Sequence, residues 1–324
     1  MRLAPGALLC FAVAGLATLL GFYLPLIGAP VFAILMGLAI ASIRPLPPAF
    51  EAGIAFAGKS LLQWSIVLLG AHLSLSQIAR GGLASLPVML GTLAIVLAVA
   101  YFVGRWLGID RDLRRLLGIG TAICGGSAIA ALSSVIDVDR SDVAYALGTI
   151  FAFNVVAVLT FPALGHLMGL SQSAFGLWAG TAINDTSSVV AAAFAYGAAA
   201  GSAAVVVKLT RTLLIVPIVG YYAWRRIASH EGGPVDWAAV FPWFILWFLG
   251  AAALDSFGLI PAGWQDPIQR LALFAIVVAL AGVGLASNLG RIRAAGLRPL
   301  TLGAILWVTI AVSSLAIARF MHLG

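Results

Sequence analysis

The chain has 324 residues, 62% of them hydrophobic and 9% charged, with a net charge of +7 and a mean hydropathy of +1.10. A soluble globule carries about 25% charged residues, so this composition excludes one and describes an all-α, polytopic membrane protein. Nucleic acid is excluded as the partner of the surplus charge by where that charge lies along the chain.

Apolar runs of about 20 residues cross a bilayer as helices. Eleven are predicted: 7–24, 28–43, 61–78, 86–107, 113–136, 143–167, 174–196, 202–224, 237–254, 268–289 and 297–320. The first run follows Arg2 and resembles a signal peptide, but no convincing small-residue cleavage site comes after it, so it is read as a helix. Cys10 in this run and Cys124 in the fifth are the two cysteines; they give neither a disulfide framework nor a metal-ligand spacing. Pro45, Pro47 and Pro48 end the second span, and 50–56 reads as a structural linker. His72 in the third span reads as a hydrogen-bonded core residue.

The fifth span contains Gly120-Thr121-Ala122-Ile123-Cys124-Gly125-Gly126-Ser127. Gly costs about 1 kcal/mol against Ala inside a helix, and Ser127 can cap a helix that restarts after Gly126. Two half-helices are therefore expected to meet near mid-membrane. Free backbone is tolerated at that depth only where it is buried in protein or lines a polar cavity, and a half-helix N-terminus attracts anions. Thr121, Cys124, Gly125, Gly126 and Ser127 are thus candidate substrate contacts, with packing contacts between helices the plainer alternative for the glycines. Asp137, Asp139, Arg140 and Asp142 read as a solvated outer turn. In the sixth span Asn154 fits either interhelical hydrogen bonding or the site, and His166 reads as interfacial.

The seventh span holds a second centre, Asn184-Asp185-Thr186-Ser187-Ser188. A carboxylate at that depth costs at least about 2.5 kcal/mol, so Asp185 needs a partner or a task. Lys208 and Arg211 in the eighth span lie three residues apart, on one helix face. One negative and two positive intramembrane charges leave a surplus cation, which makes a small anion the natural ligand. A static Asp185–Lys208 pair and a snorkelling Arg211 are the plainer alternatives. Residues 225–236, with Gly232, Gly233 and Pro234, form the longest loop suited to a hinge between halves. In the tenth span Gly282, Gly284, Ser287 and Asn288 repeat the polar, glycine-rich pattern, and a second break is expected there.

With alternate loops on alternate faces, twelve of the 18 basic residues fall on the N-terminal side and four opposite, Arg140 among the four. This is the positive-inside pattern, which puts the N-terminus in the cytoplasm and the C-terminus in the periplasm. The third and tenth spans echo each other, which suggests one extra helix and two inverted five-helix repeats with crossed discontinuous helices. The whole chain, 1–324, is then one transmembrane domain, with repeats at about 28–168 and 171–324. A sharper likeness joins residues 120–127 to Gly180-Thr181-Ala182-Ile183-Asn184-Asp185-Thr186-Ser187. Under this topology those two spans run the same way, so they are not inverted equivalents.

Residues 120–131, Phe161-Pro162-Ala163-Leu164-Gly165-His166, residues 176–192, Lys208-Leu209-Thr210-Arg211 and Phe241-Pro242-Trp243-Phe244 together resemble the YeiH-like sulfate-exporter family of bacterial inner-membrane proteins. The resemblance covers nearly the whole chain. It implies a secondary transporter distantly related to bile-acid/sodium symporters and sodium/proton antiporters. The sequence departs from that family at Asn184, where a His usually precedes Asp-Thr-Ser, which leaves Asp185 as the titratable candidate for coupling.

The expected function is alternating-access transport of a small anion, sulfate or an organosulfonate, as an exporter and not an enzyme. Thr121, Cys124, Gly125, Gly126, Ser127, Asn184, Thr186, Ser187, Lys208, Arg211, Ser287 and Asn288 would line the substrate site, and Asp185 would carry ion or proton coupling. No cofactor or metal beyond a sodium ion or proton is expected. The partners expected are the small anion and the lipid bilayer, with a homodimer left open. The rivals are a sodium- or proton-coupled organic-acid symporter, an anion channel and an intramembrane enzyme using Cys124, which has no base near it in sequence.

Overall fold

The computed structural model describes residues 3–24, 27–43, 46–228, 237–287 and 296–323, with the backbone alone at 239 and 262. Every element among them is helical. Seven helices are long and apolar enough to cross a membrane, and three shorter apolar helices accompany them.

One bundle gathers α1 (Ala4–Tyr23), α2 (Gly28–Ile43), α3 (Pro48–Ala55), a π-helical turn (Phe56–Leu61) and α4 (Leu62–Gly70). Its later members, after the break in sequence described below, are α14 (Phe244–Ser256) and α15 (Ala262–Ala286). Glycines set its crossings. A Cβ on Gly37 of α2 would lie 2.6 Å from the Ala281 carbonyl oxygen of α15, and one on Gly282 would lie 2.8 Å from the Gly58 nitrogen in the π turn. Small residues of this kind let backbones approach where lipid supplies no hydrophobic drive between helices. This corrects the glycine part of the expectation for the tenth span: α15 runs unbroken through Gly282 and Gly284, because those glycines serve close packing, and ends at Ala286 with Ser287 as its extended C-cap. Asn288 lies outside the described residues.

The second bundle contains α5 (Leu75–Trp106), α6 (Arg111–Ala122), α7 (Gly126–Ser133), α8 (Arg140–Leu167), α9 (Gln172–Ala182), α10 (Thr186–Tyr196), α11 (Ala198–Thr212) and α12 (Ile215–Ala228). The short α13 (Trp237–Val240) follows, and α16 (Leu297–Phe320) returns to this bundle. A Ser74/Gln77 capping box starts α5, satisfying two of its free backbone donors reciprocally.

The fifth predicted span breaks where expected, and the seventh, read only as a polar centre, breaks as well; neither crosses. After α6 turns at Ile123–Gly125, α7 folds back along it. The methyl end of Ile129 meets Gly120, and Arg226 at the end of α12 donates to the Val135 oxygen at 3.0 Å. Asp137 consequently shares a pocket with Asp112, Arg115 and Arg225, at the level where α6 begins. The acidic segment 137–142 thus lies on the same face as the arginines of 105–115, not opposite them. Likewise α10 returns along α9. Tyr196 stacks on Phe175 with ring centroids 3.8 Å apart and donates to the Leu170 oxygen at 2.5 Å, while Gln172 accepts from the Ala199 nitrogen at 3.0 Å. Two 11-residue helices continued straight would put those ends about 33 Å apart. Each segment is therefore a helical hairpin whose tip is the break, and an apolar run of one length serves either course.

The two hairpins also begin alike. The preceding helices close on Gly108 and Gly169, with φ of +66° and +64°. Ile109 N donates to Gly104 O and Leu170 N to Gly165 O, each at 3.0 Å, the 6→1 bond of a Schellman turn.

Candidate functional site

The tips are built from the duplicated words. Gly120-Thr121-Ala122 ends α6 and Gly180-Thr181-Ala182 ends α9; Ile123-Cys124-Gly125 and Ile183-Asn184-Asp185 make the turns; Gly126 and Thr186 begin α7 and α10. The turns face each other, because a Cβ on Gly125 would sit 3.6 Å from the Asp185 nitrogen. Gly125 has φ +65° and ψ −121°, a conformation that glycine alone adopts cheaply.

Helix ends of this kind carry partial negative charge on their free carbonyls, and two cations neutralise it. Lys208 Nζ donates to Ile123 O and Ile183 O, both at 2.9 Å, joining equivalent carbonyls of the two tips. Arg211 Nε donates to Ala122 O at 2.7 Å and its Nη2 to Thr121 O at 3.1 Å. Both side chains are wholly buried. Bonds from charged donors contribute about 1.5–3 kcal/mol each, so Lys208 holds the two tips together from behind and Arg211 fixes the first. The surplus cation inferred from the sequence is thus engaged by backbone carbonyls; Arg211 does not snorkel, and Lys208 forms no ion pair with Asp185. Arg211 Nη1 and Asn184 Oδ1 are buried without a partner among the described residues.

The N-terminal starts of α7 and α10 open instead into a cavity of about 560 Å³ between the two bundles. Gly126, Ser127, Asp185, Thr186, Ser187 and Ser287 of the predicted set line it; Thr121, Cys124, Gly125, Asn184, Lys208 and Arg211 lie behind its wall. Four lining residues were missed or left undecided: Lys59, Gln63, Asn154 and Ser188. Lys59 sits in the π turn with Gln63 one turn on, and a π turn inside an α-helix often marks a functional site.

The two starts differ in one respect. On α10 the Asp185 carboxylate is the N-cap, accepting from Ser187 N at 3.0 Å and from Ser187 Oγ on the same oxygen; Asn154 Oδ1 accepts from Asp185 N at 3.3 Å. On α7 the equivalent of Asp185 is Gly125, and no side chain caps the helix. The backbone N–H groups of Gly126 and Ser127, with the Ser127 hydroxyl, make no hydrogen bond with the described residues. Ser188, 6% exposed, lines the cavity with its hydroxyl likewise unengaged. Such a set of donors accepts an oxyanion without rearrangement.

A family model described as conserved hypothetical protein 698 matches residues 5–303. Among curated relatives, a UPF0324 membrane protein of Streptococcus agalactiae serotype V is 41% identical over 328 residues, covering 98% of this chain and 97% of the relative. A UPF0324 membrane protein of Streptococcus pyogenes serotype M18 is 43% identical over 328 residues, covering 98% and 96%. One from Streptococcus mutans serotype c is 40% identical over 330 residues, with the same coverage. No solved structure matches the chain.

Proposed function

The chain belongs to the YeiH-like family described as conserved hypothetical protein 698, and within it we propose a secondary active transporter that moves a small oxyanion, sulfate or an organosulfonate, by alternating access. The observation that carries this reading is the uncapped start of α7, facing the same cavity in which a carboxylate already caps the start of α10. The chain supplies at Asp185 the kind of group that a ligand would bring to Ser127. Lys59 and the Asn154 amide add donors on the cavity wall.

In this reading the two hairpins are inversion-related equivalents, which removes the conflict between their matching words and their direction. Arg140 then joins the arginine-rich face, and the positive-inside bias strengthens, placing that face and the N-terminus in the bacterial cytoplasm and the C-terminus in the periplasm. The chain acts as one transmembrane domain, but pairing the hairpins shifts the repeat boundaries from 28–168 and 171–324, because the first hairpin lies late in the former segment and the second opens the latter. The hairpin bundle, locked by Lys208 and Arg211, moves against the glycine-packed bundle to expose the cavity to each side in turn. No cofactor is needed. Cys124 is 2% exposed and lies outside the cavity wall, which favours a carrier over an enzyme.

Purified protein in liposomes should give saturable, counterflow-stimulated uptake of labelled sulfate, sulfite or a short alkyl sulfonate, reduced in Ser127→Ala and Lys59→Gln. Absence of saturable flux for all three would overturn the proposal. A second reading, cation-coupled organic-acid symport, is favoured by the Asp185 carboxylate, whose second oxygen makes no bond with the described residues. Sodium-dependent thermal stabilisation that disappears in Asp185→Asn would support it.

A further inference from the structure

We propose that the arginine-lined recess at the base of the first hairpin binds the phosphate head of an anionic phospholipid. The recess measures about 480 Å³ and is walled by the end of α5, the start of α6 and Tyr222 of α12. Four guanidinium groups line it: Arg105, Arg111, Arg114 and Arg115.

Carboxylates lie nearby, with Asp112 and Asp137 in the neighbouring pocket that shares Arg115, but none among the described residues lines the recess itself. Arg115 pairs with Asp112 at 2.8 Å. Arg114 gives Nη1 to the Tyr101 carbonyl oxygen at 3.3 Å and lies 5.8 Å from the Tyr101 ring. Arg105 and Arg111 have no ion pair among the described residues. Guanidinium forks match phosphate oxygens bidentately, so the recess presents two free forks beside two others held in place.

Depth and wall chemistry select a lipid over a soluble anion. Tyr101, Phe102 and Trp106 at the end of α5 are 54%, 69% and 82% exposed, the aromatic belt of a bilayer interface. Leu97 lies farther along α5 and, with Ile119 of α6, gives the recess an apolar floor, suited to the glycerol and upper acyl carbons. A topological role needs positive charge on this face but no shared, headgroup-sized recess. Basic pockets between membrane helices hold anionic headgroups in this way. A lipid there would tie the base of the hairpin to α5 and α12.

The test uses the full chain, delipidated in neutral detergent, with phosphatidylglycerol, phosphatidylcholine of the same acyl chains, or inorganic phosphate added, and reads binding by native mass spectrometry and thermal shift. Phosphatidylglycerol should remain bound and raise the unfolding temperature; the other two should not. The paired variant Arg105→Gln/Arg111→Gln should bind phosphatidylglycerol about 30-fold more weakly, at about 1 kcal/mol per arginine. Arg105→Lys/Arg111→Lys should retain most of the affinity, and Arg319→Gln, on α16 away from the recess, should match the wild type. If the paired variant fails to fold, Arg111→Gln alone, expected about fivefold weaker, decides. Equal binding of phosphatidylcholine, wild-type affinity in the glutamine variants, or stabilisation by phosphate alone would overturn the proposal.

Discussion

The two hairpin tips share Gly-Thr-Ala-Ile at the end of the first helix and Ser at the second position of the returning one, yet one is closed and the other open. At α10 the Asp185 carboxylate fills the N-terminus, whereas at α7 the corresponding Gly125 leaves the same donors facing the cavity. Behind both tips the chemistry is reversed, and Lys208 treats them identically by bonding Ile123 O and Ile183 O. Lys208 thus holds the two carbonyl ends symmetrically, with Arg211 adding bonds to the first tip alone, while the amide ends are asymmetric, so the difference between the amide ends marks where a ligand enters. A site that had to bind its own structural carboxylate on both sides would have no donors left for an anion.

The sharpest way to break the symmetric half of this comparison is Lys208→Met. It leaves two buried carbonyls without a donor, at about 1–3 kcal/mol each, so unfolding in detergent should reveal a loss of about 2–6 kcal/mol. A stability within 1 kcal/mol of wild type would mean that the lysine does not hold the tips. Gly125→Ala tests the open tip. At φ +65°, with Ile150 Cγ2 3.1 Å from the new methyl, it should cost about 1–3 kcal/mol and reduce anion flux through the displaced turn. Asp185→Ala removes the cap from the closed tip, at about 1 kcal/mol. Asp185→Asn, which keeps an N-cap acceptor, should recover most of that stability while losing whatever cation dependence transport has.

Much of this was legible in the sequence. Composition alone established a polytopic helical protein, and Gly125-Gly126 marked the first break correctly, because backbone-permissive residues advertise helix ends; Asn184-Asp185-Thr186 reads in sequence as a polar centre and its break was missed, although Asp185 is a capping residue. The course of the chain beyond each break was not legible. The 24 residues of 113–136 are equally apolar whether they cross a bilayer or fold back within it, and the loops beside 174–196 carry no basic residue that would have exposed the error. The matched words at 120–127 and 180–187 were the usable signal, but a two-crossing topology made them parallel and left convergence of small-residue packing or an error in the topology as the choices. The expected break in the tenth span was misplaced at its glycines for a related reason: Gly282 and Gly284 look in sequence like Gly125 and Gly126, and only the neighbouring helix separates a packing glycine from a turn glycine. Lys208 and Arg211 could be placed in the membrane but not aimed, since a cation near a broken helix can face a ligand or the carbonyls of the break itself.

The smallest effect on stability gives the finest discrimination between the tips. Ser127 and Ser187 hold equivalent places, but Ser187 donates through N and Oγ to Asp185, whereas the Ser127 hydroxyl has no partner among the described residues. Removing a hydroxyl engaged within the fold costs about 1 kcal/mol of stability; removing one that waits for a ligand costs the fold nothing. Ser187→Ala should therefore lower the unfolding midpoint with a modest effect on half-saturating anion concentration. Ser127→Ala should leave the midpoint unchanged and raise that concentration about fivefold, the equivalent of one hydrogen bond of about 1 kcal/mol. Measured together by thermal unfolding and liposome uptake, equal behaviour of the two serines in both assays would mean that the tips are alike, and the open start of α7 would no longer single out the place where the anion sits.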